Sequence, residues 1–370
     1  MIYLDHNATT HLHPNVRSKM NELAMHGPMN PSSIHWHGRK GKSLLENARK
    51  SIANLLGFKN CFKDYQITFT ASGTEANNLI LSNFKDEEIF ISATEHLSIW
   101  AYSKLSPNVT VIKVDKNGTL DIEDLIHKLQ SSRAEKKLLS VMLANNETGV
   151  IQPVRQISEL AHENGALIHS DCIQAASKID VNILDLGVDF ISISAHKFGG
   201  PMGAGALIGK TPIHLLPLII GGRQERNLRS GTENVPAIVG FGEAATIAKE
   251  ELDLRFSHMS NLHTKLESEL IASNPDIEIA GINTERLPNT SLIINIDKKA
   301  ETQIIALDLQ GVAVSSGSAC SSGKIGSSHV LAAMGYSEDE IKSAIRISVG
   351  INTTDQDIDA FLKIYNEINR

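Results

Sequence analysis

The feature that most constrains this chain is an alternation running from about residue 40 to residue 210. Short apolar runs of strand character (QITFT, EIFISA, VTVIKV, LLSVMLA, ALIHS, DFISIS) are separated by segments of helical spacing such as GKSLLENARKSIANLLG, HLSIWAYSKL, LDIEDLIHKLQ and VRQISELAHENG. Strands buried on both faces need continuous apolar runs, and a parallel connection needs a crossover helix. The expected fold class is therefore α/β, with a mostly parallel sheet covered by helices. In such sheets ligands bind at the carboxyl ends of the strands, so polar residues just after a strand carry most weight.

The pattern changes after about Val235. VPAIVGFGEAATIAKEELDLRFSHMSNLHTKLESELIAS keeps a helical period for most of its length, long enough to bridge two units. Beyond it TSLIINI reads as a strand, ETQIIALDLQ as a helix and SAIRISVG as a strand. TTDQDIDAFLKIYNEINR is a closing helix, with Thr353 and Gln356 spaced as a capping box. The expected division is a large unit over 13–249 and a smaller α+β unit over 1–12 and 250–370, the latter carrying a Ser- and Gly-rich loop around Cys320.

Composition narrows the partners. Thirty-five basic residues against 42 acidic ones leave a net charge of −7, which lacks the positive field of non-specific nucleic-acid binding. No apolar run approaches the ~18 residues of a membrane-spanning helix. The opening MIYLDHNATT has no basic-then-apolar pattern of a signal peptide. Three cysteines are too few for a disulfide framework and suit a reducing compartment. These numbers lead us to expect a soluble, cytoplasmic protein that binds neither nucleic acid nor membrane.

The sharpest segment is SISAHKFGGPMGAGALIG, in which a strand ends on a His-Lys pair and a Gly-rich turn. Lys197, partly desolvated at a sheet edge, would be a nucleophilic amine; the plain alternative is a solvated surface lysine. Asp171 follows the strand ALIHS. If the two strands are neighbours, Asp171 and Lys197 project into one site, the pairing that pyridoxal phosphate needs. Asp171 could also be only a helix N-cap, and Gln174 an ordinary helix residue. TASGTEANNLIL puts Gly73 and Thr74 where a strand end meets a helix start, a setting that presents N–H groups to a phosphate. His96 of ATEH falls at the same sheet edge, where it could stack on a flat cofactor or move protons, or simply pack.

With these motifs in view the chain resembles the cysteine desulfurases of the NifS/IscS-like group, within class V aminotransferases. The matching segments are YLDHNATT, NPSSIH, SGTEANN, TEH, NNETG, DCIQ, SAHKFGGPMGAGAL, GGRQERNLRSGTENV, SSGSACSS and IRISVG, in order over essentially the whole chain. The resemblance implies the fold-type I architecture of pyridoxal-phosphate enzymes, a homodimer, and removal of sulfur from L-cysteine to leave alanine. It implies Lys197 as the Schiff-base lysine, Asp171 as partner of the ring nitrogen and Gln174 as donor to the ring oxygen. His96 resembles the residue on the ring that assists proton transfer. Gly73, Thr74, Ser194 and His196 match phosphate contacts, and Thr232 matches a contact to the neighbouring subunit's phosphate. Asn146 and Arg346 match contacts to the substrate carboxylate, a task that suits the planar fork of arginine. Cys320 matches the cysteine that receives sulfur as a persulfide. An iron–sulfur scaffold or another sulfur-acceptor protein is the implied partner, although the chain stops at Arg370, short of the tail with which many relatives dock such a scaffold. The rival within the family is a selenocysteine lyase or another class V enzyme acting on a different β-substituent; the rival outside it is a silent assembly partner.

Cys320 is also legible from its setting. Ser and Gly surround it, a composition of exposed loops, whereas a structural thiol sits among apolar residues. Lys324 is a neighbour able to lower its pKa. Cys61 and Cys172 are weaker candidates, and alternation with Asp171 should turn Cys172 toward the core. The histidines of HLH (11–13) and HWH (35–37) lack Cys or carboxylate companions at ligand spacing, so no metal is expected. The Gly-rich runs lack a Walker lysine, so nucleotide binding is not expected either.

Overall fold

The computed structural model describes residues 1–58, 64–212, 214–317 and 327–369. Cys61, Cys320 and Lys324 lie outside the described residues. In chain order the strands are β1 (Ile2–Tyr3), β2 (Tyr65–Thr70), β3 (Glu88–Ser92), β4 (Val109–Ile112), β5 (Lys137–Ser140), β6 (Ala166–Asp171), β7 (Phe190–Ser194) and β8 (Gly205–Lys210). Then follow β9 (Glu278–Ile279), β10 (Thr290–Ile294), β11 (Val312–Ala313), β12 (Ser315–Ser316) and β13 (Ala344–Ser348).

A seven-stranded sheet has the order β2-β8-β7-β6-β5-β3-β4. All neighbours from β7 to β4 run parallel, and β8 is antiparallel to both β7 and β2. The central strands are buried along nearly their whole length, which is why they read as apolar runs. Helices Pro14–Ala24, Trp36–Leu55 and Val235–Glu250 pack on one face. Helix Gly73–Ser82 and the turn Leu97–Trp100 pack on the other.

A second, four-stranded antiparallel sheet has the order β12-β13-β10-β9. Its core is filled by Met259, Leu262, Leu266 and Leu270 of helix Leu252–Ser273 and by Phe361 and Tyr365 of helix Asp355–Ile368. The first residues of the chain connect the two sheets. β1 pairs with β11, Asp5 bridges to Ser348 of β13, and the chain then enters the edge of the large sheet at Asn7.

Three expectations about elements are corrected. The long helical segment after Val235 is two helices, broken at Glu251, whose φ −98° and ψ 6° leave the helical region. HLSIWAYSKL forms two single turns meeting at Ala101 rather than one helix. The capping box of the last helix is Thr354 with Asp357, not Thr353 with Gln356. Thr353 is already engaged in the preceding turn, where its Oγ1 accepts from Gly350 N–H at 3.0 Å, so the cap falls one residue later. One histidine in each of the HLH and HWH runs has local work. His13 and His35 are N-caps whose Nδ1 atoms accept from Asn15 N–H (3.2 Å) and Gly38 N–H (3.3 Å).

Candidate active site

β6 and β7 are adjacent and parallel, with Asp171 paired in register to Ser192. Asp171 ends β6, and Lys197 closes the short turn Ala195–Lys197 that follows β7. Parallel pairing therefore delivers both residues to the same carboxyl edge. Helix Gly73–Ser82 starts at that edge, with Ser72 Oγ accepting from Glu75 N–H at 3.1 Å as its N-cap. The first N–H groups of a helix have no carbonyl one turn back. Gly205 makes this juxtaposition possible, since a Cβ there would stand 2.5 Å from the Ser72 carbonyl carbon. Gly73 is equally confined, a Cβ there falling 2.2 Å from Ile173 Cδ1.

Between these elements lies a cavity of about 540 Å³ lined by Gly73, Thr74, His96, Asn146, Asp171, Gln174, Ser194, His196 and Lys197, with Ala8, Ser98 and Met142 beside them. Nearly every described residue that the sequence marks is thus in one place. Two are not. Arg346 is buried behind the lining at 3% exposed, donating to Asn146 O (3.0 Å) and Asp5 Oδ1 (2.8 Å). Its Nε is buried with no partner among the described residues. Thr232 lines a different depression, with Glu225, Arg229 and Glu233. Cys320 lies outside the described residues.

The electrostatics of the cavity follow from burial. Burial pushes the Asp171 carboxyl up. His96, an N–H from Ile173 (2.9 Å), one from Asn77 Nδ2 (2.7 Å) and Lys197 pull it back toward the charged form. Burial lowers His96; Asp171 opposes that and Lys197 adds to it. The Nδ1 of His96 accepts from Ser98 N–H at 3.1 Å. Burial beside Lys197 lowers His196 to about 4. Cys172 turns into the core of the large sheet, and burial raises its thiol pKa, which removes its nucleophilic form.

Several site residues were not singled out by the sequence reading. Asn7 is a junction: its carbonyl accepts from Lys197 Nζ (2.6 Å) and Gln174 Nε2 (3.0 Å), while its side-chain nitrogen donates to Asn146 O (3.2 Å) and Thr290 Oγ1 (2.8 Å). Asn77 holds Asp171, and Lys178 holds Asn7. Asn7 and Asn77 lie within segments that carried the resemblance, and nothing local distinguishes them from their neighbours.

A family model for class-V aminotransferases matches residues 2–361. A cysteine desulfurase IscS from Dictyoglomus turgidum is 37% identical over 99% of this chain and 94% of its own length. A cysteine desulfurase from Cereibacter sphaeroides is 39% identical over 98% of this chain and 94% of its own length. Among solved structures, a NifS-like protein from Rickettsia africae superposes with a TM-score of 0.95 at 44% identity, over 100% of this chain and 99% of that one.

Proposed function

This chain belongs to the class-V aminotransferase family as a cysteine desulfurase dependent on pyridoxal 5′-phosphate, and from that premise we propose how its residues divide the work. The cavity fits the cofactor at both ends: N–H groups of a helix start and two hydroxyl side chains suit a phosphate, and a buried carboxylate suits a ring nitrogen. When bound, the cofactor supplies an electron-withdrawing ring that accepts the electron pair released at the substrate's α-carbon.

In this reading Lys197 Nζ attaches the cofactor and moves the proton at the α-carbon. Asp171 keeps the ring nitrogen protonated, and Gln174 donates to the ring oxygen. His96 assists proton transfer beside the ring. Gly73, Thr74, Ser194 and His196 hold the phosphate. Asn146 and Arg346 take the substrate carboxylate, supported by the bond that already joins them and by the orphaned Nε of Arg346. L-Cysteine is the substrate. The Cys320 thiolate attacks its sulfur; an S–S bond forms as the Cβ–S bond breaks, the electron pair stays with carbon, and protonation there gives alanine. The persulfide then passes to an acceptor, an iron–sulfur scaffold or another sulfur-receiving protein.

We place the protein in the cytoplasm as a homodimer. Thr232 supports the dimer, because it lies apart from its own chain's cavity and is free to serve a neighbour's; light scattering on the holoenzyme tests this. We also divide the chain into a large unit over 13–249 and a small one over 1–12 and 250–370, supported by separate sheets with separate cores.

The observation that most supports the reading is the parallel pairing of β6 with β7, with Asp171 and Lys197 on one cavity. The test separates carbon chemistry from sulfur transfer. Cys320→Ser should retain cofactor and bind cysteine, yet release no alanine and carry no persulfide. Normal sulfide production by that variant under reductant would remove Cys320 from the mechanism.

A further inference from the structure

Lys178 is a buried amine that the scheme above does not use. It is 5% exposed, and it donates to Asn7 Oδ1 and to Gln174 Oε1, both at 2.8 Å. The charged and titratable groups facing it, Lys197, Arg346 and His6, are cations or become cations on protonation. No carboxylate balances it among the described residues, and burial pushes its pKa well below the ordinary value. Keeping such a group inside costs stability, so its two acceptors indicate what it does.

The Gln174 amide is held at both ends. Its Nε2 donates to the Asn7 carbonyl, which can only accept and which Lys197 Nζ also uses. Its Oε1 accepts from Lys178 Nζ, which also donates to Asn7 Oδ1, so both contacts of that amine are donations. One Nε2 proton therefore remains on a side chain that lines the cavity. Lys178 fixes Asn7 in the same way, since Asn7 Oδ1 accepts from Lys178 and from Asn289 Nδ2 (3.0 Å).

We propose that Lys178 is a positioning residue: by holding the oxygens of the Gln174 and Asn7 side chains, it makes Gln174 present an N–H, and not a carbonyl, to the ring oxygen of the cofactor. The proposal rests on the reading of Gln174 given above. A fixed N–H donor stabilises negative charge on that oxygen, so it lowers the proton affinity of the bound cofactor.

The test is a pH titration of the cofactor's visible absorption in substrate-free holoenzyme. Lys178→Met, similar in volume and unable to donate, should raise the midpoint by about half a pH unit or more. Lys178→Arg should return it toward wild type, because Lys178 lines a second cavity of about 260 Å³ with room for the longer side chain. Gln174→Ala should raise the midpoint as well, and adding Lys178→Met to it should change little, as expected when one residue acts through the other. Should Lys178→Met fail to hold cofactor, Lys178→Ala makes the same comparison. A Lys178 variant with a lowered melting temperature and an unmoved midpoint, beside a shifted Gln174→Ala, overturns the proposal. So does an equal shift from Lys178→Met with and without Gln174. An unmoved midpoint in Gln174→Ala instead overturns the reading of Gln174 and the proposal with it.

Discussion

Two buried charge clusters, one at the carboxyl edge of the seven-stranded sheet and one under the four-stranded sheet, use the same residue types to opposite ends. At the large sheet, burial drives each group toward its neutral form: Asp171 and Glu95 up, Lys178 well down, and His169 down to about 3. The partners there are mostly backbone groups, amides and hydroxyls, as with the Met142 N–H on Glu95 and the two serine hydroxyls on His169. Under the four-stranded sheet Glu267 also sits in a half-dry setting, yet it ends at about 2. Arg286 grips both its oxygens at 2.7 Å, and His263 and Ser291 fill the remaining positions. Charge that only supports a fold is neutralised by a partner. Charge kept poised without one marks a place where something else is meant to bind.

Lys197→Ala breaks the comparison on the reactive side and carries the largest expected effect. Alanine release from cysteine should fall by about a thousandfold or more while the protein stays folded. Borohydride should no longer fix cofactor to the chain, and unchanged fixation would show that another amine holds it. On the structural side, Arg286→Ala leaves Glu267 half-buried without its fork. The expected loss is about 3–5 kcal/mol of stability, read as a lower melting temperature, with turnover per folded holoenzyme unchanged. A variant equally damaged in turnover would mean that the two clusters are not separate.

The same carboxylate gives the smallest effect, in acid. The folded-state pKa of Glu267 is depressed from 4.5 to about 2. Its contribution is therefore present in full above the unfolded value and is lost as pH falls through the folded one. That amounts to about 3 kcal/mol. Glu267→Gln should be less stable near neutrality and lose less of its remaining stability between pH 4.5 and pH 2, as denaturant melts across that range would show.

The sequence made the strand–helix alternation legible because strands buried on both faces must be apolar throughout. β8 escaped the reading because GALIGK sits inside a Gly-rich run that signals a turn. Its antiparallel entry between β7 and β2 is a tertiary fact. Asp171, Lys197 and the helix start at Gly73 could be found because each follows a strand, and parallel pairing brings strand ends together. Lys178 and Asn7 could not, because their partners are 171 residues apart in sequence and neither stands at a strand end. Arg346 was found by its motif, but the direction in which its fork points depends on Asp5, at the opposite end of the chain.

The path of the first residues also bears on how the molecule is made. Ile2 pairs with Val312, Asp5 bridges to Ser348, and Asn7 carries the carbonyl that Lys197 and Gln174 share. During translation these early residues leave the ribosome long before their partners exist. The partners of Asn7 at the large sheet are made well before β11 and β13, which Ile2 and Asp5 need. The bonds that tie this opening segment to the second sheet, Ile2 to Val312 and Asp5 to Ser348, are therefore among the last to close.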